Sequence, residues 1–191
     1  MKLHLATMLL MASATTLSAQ QVERHEAAHK ADAAEHQMMD HGLVKSITPI
    51  YTAIRGFLIK SAEQMPESDY GFKPTPDVRS FGELIGHVAN ASYLFCSGAM
   101  GEKSPAKADY EKTVTSKAGL VEGLKAGLAY CDKAYEMSDM KSVEKVTFFG
   151  TENTRLWVLN FNVAHDAEHY GNIVTYMRLK GMVPPSSQGG Q

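Results

Sequence analysis

Sequence periodicity predicts an all-α protein, a single four-helix bundle, on three observations. Four long segments carry apolar residues at helical intervals, Pro- and Gly-bearing breaks separate them, and no stretch alternates as a half-buried strand does. The first helix is expected over about Asp40–Met65, with Leu43, Ile47, Ile50, Ile54, Leu58 and Ile59 as its apolar stripe. Pro49 falls after its second turn, where it would kink the helix or mark its effective start. The segment PESDYGFKPTPDVRS then holds three prolines and reads as a loop.

Ser80 followed by Glu83 is a capping box and opens the second helix, which runs to about Met100. Its buried side is expected to be Phe81, Leu84, Ile85, Val88, Ala91, Phe95 and Ala99, with Gly101 and Pro105 ending it. A third helix is predicted over about Ser116–Met137, with Leu120, Val121, Leu124, Leu128, Cys131 and Tyr135 on one stripe. The stretch 139–152 is mixed, and its VTFF reads as a short extended piece. The fourth helix spans about Asn153–Lys180 and is stopped by Gly181, Pro184 and Pro185.

The ends read differently. Residues 1–19 have one lysine, a short run of Leu, Met and Ala, and then small residues, the layout of a secretory signal peptide cut between Ala19 and Gln20. Export to a periplasm or to the medium is the expectation. Residues 20–38 are polar, alanine-rich and without an apolar stripe, a solvated and partly helical leader carrying His25, His29 and His36. The bundle is expected over 39–187, and 188–191 as a flexible tail.

Composition removes several function classes. With 191 residues, 44% apolar and 21% charged, the chain matches a soluble globular domain. Lys plus Arg is 19 against 21 for Asp plus Glu, so no basic field exists to hold nucleic acid. No segment beyond the first is apolar enough to insert stably in a membrane. Eight histidines stand against two cysteines, so a metal held here would be held by imidazole.

Three histidines lie inside predicted helices. His165 and His169 are four apart and share a helix face. A wheel of that helix turns Asn160, Ala164, Glu168, Gly171, Thr175 and Arg178 outward. It turns Leu159, Asn162, Val163, His169, Ile173, Tyr176 and Met177 inward, with His165 at the edge of that inner face. His87 borders the apolar face of the second helix. Two imidazoles from one helix and a third from another can hold one divalent cation and leave a position open. Asp166, Asn162 or Asn172 could accept a second ring N–H. Three separately hydrogen-bonded histidines are the plain alternative, and spacing alone leaves both open.

FGELIGHVANASYLF, HDAEHYGNIVTYMRLKG and the closing VPPSS together resemble the DinB (damage-inducible) superfamily, over roughly residues 43–187. The resemblance implies a four-helix bundle binding a divalent metal (zinc, nickel or iron) through His87, His165 and His169. It also implies a metal-dependent transferase or hydrolase acting on a small molecule, since thiol S-transferases and a maleylpyruvate isomerase belong to that superfamily. The export signal departs from the cytoplasmic setting of low-molecular-weight thiols. A non-catalytic periplasmic metal-binding or stress-associated protein is the alternative, and a homodimer with a vestigial site a third. Cys96 and Cys131, both near apolar stripes, are expected as free buried residues, although export permits a bridge. Tyr93, Trp157, Phe161 and Tyr176 read as core, or else as the wall of a pocket beside the metal.

Overall fold

The computed structural model describes residues 20–30 and 42–189. Residues 1–19, where a signal peptide is expected, His36, His41 and the last two residues lie outside the described residues. Residues 20–30 form a helix exposed along its whole length, with the His25 and His29 rings 6.1 Å apart. The rest of the described chain forms a separate compact unit.

That unit is built on four long helices: α1 Gly42–Gln64, α2 Phe81–Met100, α3 Lys117–Ala134 and α4 Arg155–Leu179. Helix α2 packs against both α3 and α4, and α1 closes the bundle against α4 and α3. No described helix is long and apolar enough to cross a membrane.

The described part of helix α1 begins at Gly42, and its first turn is bonded by a residue distant in sequence. The Asp139 carboxylate, almost a hundred residues away in sequence, accepts from the Leu43 and Val44 N–H groups at 2.8 and 3.1 Å. A carboxylate at a helix N-terminus satisfies orphan donors and complements the helix dipole. The buried face is Val44, Tyr51, Leu58, Ser61 and Ala62. This corrects the expected stripe, because Leu43 and Ile50 are 45% and 53% exposed. Tyr51 is the reason. It lies off the expected stripe, yet its hydroxyl donates to Leu128 O at 2.8 Å and its ring stacks on Tyr135, so it belongs inside. Pro49 stays within the helix on its exposed side.

Helix α2 opens on the expected capping box, with Ser80 Oγ accepting from Glu83 N and the Glu83 carboxylate accepting from Ser80 N at 2.6 Å. All seven expected core residues are buried. Helix α3 begins one residue after its cap Ser116. Cys96 of α2 and Cys131 of α3 are joined in a disulfide, which corrects the expectation of free thiols. Their stripes face each other and bring the Cα atoms to 5.2 Å, inside the range a bridge needs.

Two short elements were not foreseen as such. A single helical turn, Tyr110–Thr113, crosses α2, capped by Asp109. A hairpin pairs β1 (Lys145–Phe148) with β2 (Thr151–Thr154), in the register Phe148↔Thr151 and Lys145↔Thr154. The first strand matches the extended piece expected at VTFF, whereas the second, TENT, is polar and its Asn153 and Thr154 were expected in the fourth helix. In fact Thr154 caps that helix, accepting from Trp157 N at 3.1 Å, so it begins at Arg155. Phe149 and Gly150 make the turn, at φ 51° and 76°. Two positive φ values match the twist of a tight hairpin, and Phe in the first place costs about 1 kcal/mol over Asn or Gly.

Candidate metal centre

Helices α2 and α4 bring the three histidines together. The Nε2 atoms of His87 and His165 are 3.2 Å apart, and those of His165 and His169 are 3.0 Å apart. All three donors fall within 4.8 Å of one another. Nitrogens bound at about 2.0–2.1 Å to one tetrahedral cation lie roughly 3.3 Å apart, so the spacing fits such a site. Side chains are 23% exposed at His87 and 14% at His165, and His169 is 7% exposed. The wheel of α4 is as expected, with Glu168 outward and Asn162, His169, Ile173 and Tyr176 buried.

The far side of each ring explains why the Nε2 atoms converge. His87 Nδ1 lies 2.9 Å from Glu111 Oε2, and the other carboxylate oxygen accepts from Arg79 Nε at 2.8 Å. A carboxylate can only accept, so the proton sits on Nδ1 and Nε2 presents a lone pair. His165 Nδ1 and Asp166 Oδ1 are both buried without a hydrogen-bond partner and face each other at 3.8 Å. Asn162 Nδ2 holds the other Asp166 oxygen at 3.1 Å and also reaches the Tyr135 hydroxyl. The Asn172 amide lies 3.5 Å from His169 Nδ1. Three ring nitrogens converge at hydrogen-bond distance, with an unpartnered buried nitrogen and oxygen behind one of them, an arrangement that a cation would suit.

Electrostatics favour neutral rings. Burial, with the neighbouring His165 and His87 rings and Arg79 adding to it, pushes His169 down to about 3. Burial also lowers His87, against the opposing pull of Glu111. Burial raises Asp166, and the neighbouring His165 ring and the bond from Asn162 only partly offset this. Glu111 ends below the usual carboxylate range, because its bonds to Arg79 and His87 outweigh burial.

Unfolded, His169 takes a proton near 6.5; folded, it stays neutral to about 3. The unfolded state therefore binds more protons in that window, and metal-free protein loses stability as pH falls through it. Thermal melts of chelator-treated protein are expected to show a Tm falling below about pH 6.5, more steeply than in His169→Ala. Equal slopes would remove His169 from this account.

Of the three acceptors foreseen, Asp166 stands behind His165, Asn162 orients Asp166, and Asn172 turns its amide nitrogen, a donor, toward His169 Nδ1. Glu111 was missed. It arrives on the Tyr110–Thr113 turn, which Asn90 clamps to α2: Asn90 Nδ2 donates to Asp109 Oδ1 at 2.7 Å, and Asn90 Oδ1 accepts from Tyr110 N at 2.9 Å. Gly86 makes the approach possible, since a Cβ there would lie 2.6–2.7 Å from backbone atoms of Tyr110 and Glu111. The glycine before His87 was the one local hint. Glu111→Gln is expected to weaken divalent-metal binding by about 10–100-fold, and Gly86→Ala to do so by displacing the turn. Competition against a metallochromic chelator measures both, and unchanged affinity in Glu111→Gln would show that the carboxylate is a bystander.

Two cavities adjoin the cluster. One of about 720 Å³ is polar and reaches His169 beside Arg79, Lys73, Glu111 and Tyr176. Another of about 280 Å³ lies between Leu94, Phe95, Phe149 and Phe161 and reaches His87 and His165. Of the four aromatics weighed from sequence, Phe161 and Tyr176 line these cavities. Tyr93 is buried against Tyr110, and Trp157 is 43% exposed and stacks on Phe161.

A family model described as the DinB superfamily matches residues 51–173. The chain belongs to the DinB superfamily. Among its relatives is the uncharacterized protein YjoA of Bacillus subtilis strain 168, 25% identical over 122 residues, 63% of this chain and 79% of that protein. The fold is similar to that of a DinB-like protein from Bacillus cereus ATCC 10987, with a TM-score of 0.65 at 19% identity over 74% of this chain and 95% of that one. The crystal structure of Bacillus subtilis YjoA, a DinB-like protein, matches with a TM-score of 0.60 at 20% identity, over 76% and 99% of the two chains. These likenesses establish the family's helical fold for this chain.

Proposed function

We propose that this DinB-superfamily protein binds one divalent cation through His87, His165 and His169 and acts on a small molecule as a metal-dependent transferase or hydrolase. The convergence of three Nε2 atoms, at 3.0 and 3.2 Å along the cluster, carries the reading. A bound divalent cation would supply Lewis acidity and lower the pKa of a group held in its open position. The protein's own part is to keep His87 and His169 neutral by burial, to hold the Nδ1 proton of His87 against Glu111, and to set Asp166 behind His165. The metal is zinc, nickel or iron, all of which accept imidazole.

Export completes the proposal. The signal-like layout of residues 1–19 supports it, and so does the Cys96–Cys131 bridge, a bond that persists in oxidising compartments. The balanced charge supports a small-molecule partner over nucleic acid. A second reading, a non-catalytic metal-binding protein, is favoured by His25 and His29 lying on one face of the exposed leader helix.

Metal titration of the chain lacking residues 1–19 tests both readings. About one tightly held cation per chain, retained when residues 20–38 are also deleted, is the expected result. Capacity lost with the leader would favour the storage reading, and no uptake of zinc, nickel or ferrous iron would overturn the site.

A further inference from the structure

We propose that the cavity between Leu94, Phe95, Phe149 and Phe161 is a binding site for an aryl-sized apolar group of the small molecule that reacts at the histidine cluster. This rests on the reading of that cluster as a metal site. The cavity and the cluster share His87 and His165, so a molecule held at the Nε2 atoms has this space beside it. At about 280 Å³ it has room for an aromatic ring, an apolar cavity of about 150 Å³ being enough for benzene.

Apart from the clustered histidines, Asn90 is the one polar side chain in its lining. Asn90 spends its amide on Asp109 and Tyr110, and His87 spends Nδ1 on Glu111. A polar occupant would leave its hydrogen bonds unmade there, whereas an apolar one loses nothing. The larger cavity differs, but its cations are compensated: Arg79 by Glu111 at 2.8 Å, and Lys73 by Glu83 at 3.1 Å. It provides a wet polar side without preference for an anion.

Phe149 is the decisive residue. Its backbone sits at φ 51°, where Asn or Gly is at ease, and its side chain is 63% exposed, so its own burial does not account for the conformation. The ring stands edge-on to Phe95 and Phe161, with centroids 6.1 and 6.2 Å away, and forms the cavity's outer wall. Leu94, 47% exposed, and Phe161, 38% exposed, continue the apolar rim. The hairpin thus presents an aromatic wall beside the histidines, and Phe149 with Phe161 is expected to set which apolar groups enter.

Two hydroxamates with the same chelating head separate the wall from the metal. Calorimetry on zinc-loaded protein is expected to show benzohydroxamate binding at least about tenfold tighter than acetohydroxamate. In Phe149→Asn, which relieves the backbone and so folds at least as well, the ratio should shrink to within about threefold, with acetohydroxamate affinity unchanged. Phe161→Ala should behave alike. A wild-type ratio near one overturns the proposal, as does a large ratio that both variants retain. If zinc is not taken up, the metal reading fails and benzyl alcohol titrated into metal-free protein decides the cavity by NMR. Amide shifts centred on Phe95, Phe149 and Phe161 that vanish in Phe149→Asn support it, and their absence overturns it. A dimer in wild type that becomes a monomer in Phe149→Asn by light scattering would make the rim a self-association surface and overturn the proposal.

Discussion

His169→Ala is expected to retain less than about a tenth of the bound metal of the parent protein. His169 is the most buried of the three rings and is held neutral down to about 3, so its lone pair is available throughout the physiological range. Without it, one imidazole from each of two helices remains, and water must complete the coordination. The affinity loss should exceed the roughly 10–100-fold that follows loss of an outer partner. Folding should survive. Removing one ring of the metal-free cluster costs one part-buried contact to His165 and leaves a small void. Elemental analysis with thermal melts reads both quantities. Glu168→Ala, on the exposed face of the same helix, should lose nothing. Undiminished metal in His169→Ala would end the three-histidine account.

Loss of the Cys96–Cys131 bridge is expected to cost about 3–4 kcal/mol, because the cross-link spans 35 residues and limits the unfolded chain. For a unit of this size that is a Tm lower by roughly 10 °C, in Cys96→Ser with Cys131→Ser or after reduction. Thiol titration of the denatured, unreduced protein should find no free thiols. Metal affinity should change little, since the bridge joins α2 to α3 whereas the ligands lie on α2 and α4. Two titratable thiols, or an unchanged Tm on reduction, would refute the bridge.

Much of the candidate site could be read in advance because its spacing is local. His165 and His169 sit one turn apart, and the apolar residues around them phase that turn toward the interior. Ser80 and Glu83 announce the start of α2 in the same way, since a capping box closes within four residues. Tyr51 shows the limit of such patterns. The apolar residues of α1 alone point its stripe toward Leu43 and Ile50, and only a partner 77 residues away, Leu128 O, shows that the Tyr51 face is buried.

Glu111 marks the same boundary within the site. Nothing around it distinguishes it from any exposed glutamate; its role comes from Asn90 and Gly86 on another element. The disulfide, the Asp139 cap of α1 and the aromatic wall carried by Phe149 are likewise decided by packing. Sequence by itself determined what a helix settles within a few residues: four helices, the capping box of α2, the inward faces of α2 and α4 and the three histidines on them. The tertiary structure alone decided which distant groups meet those faces, because contacts across dozens of residues depend on how helices dock, and local propensity does not encode that.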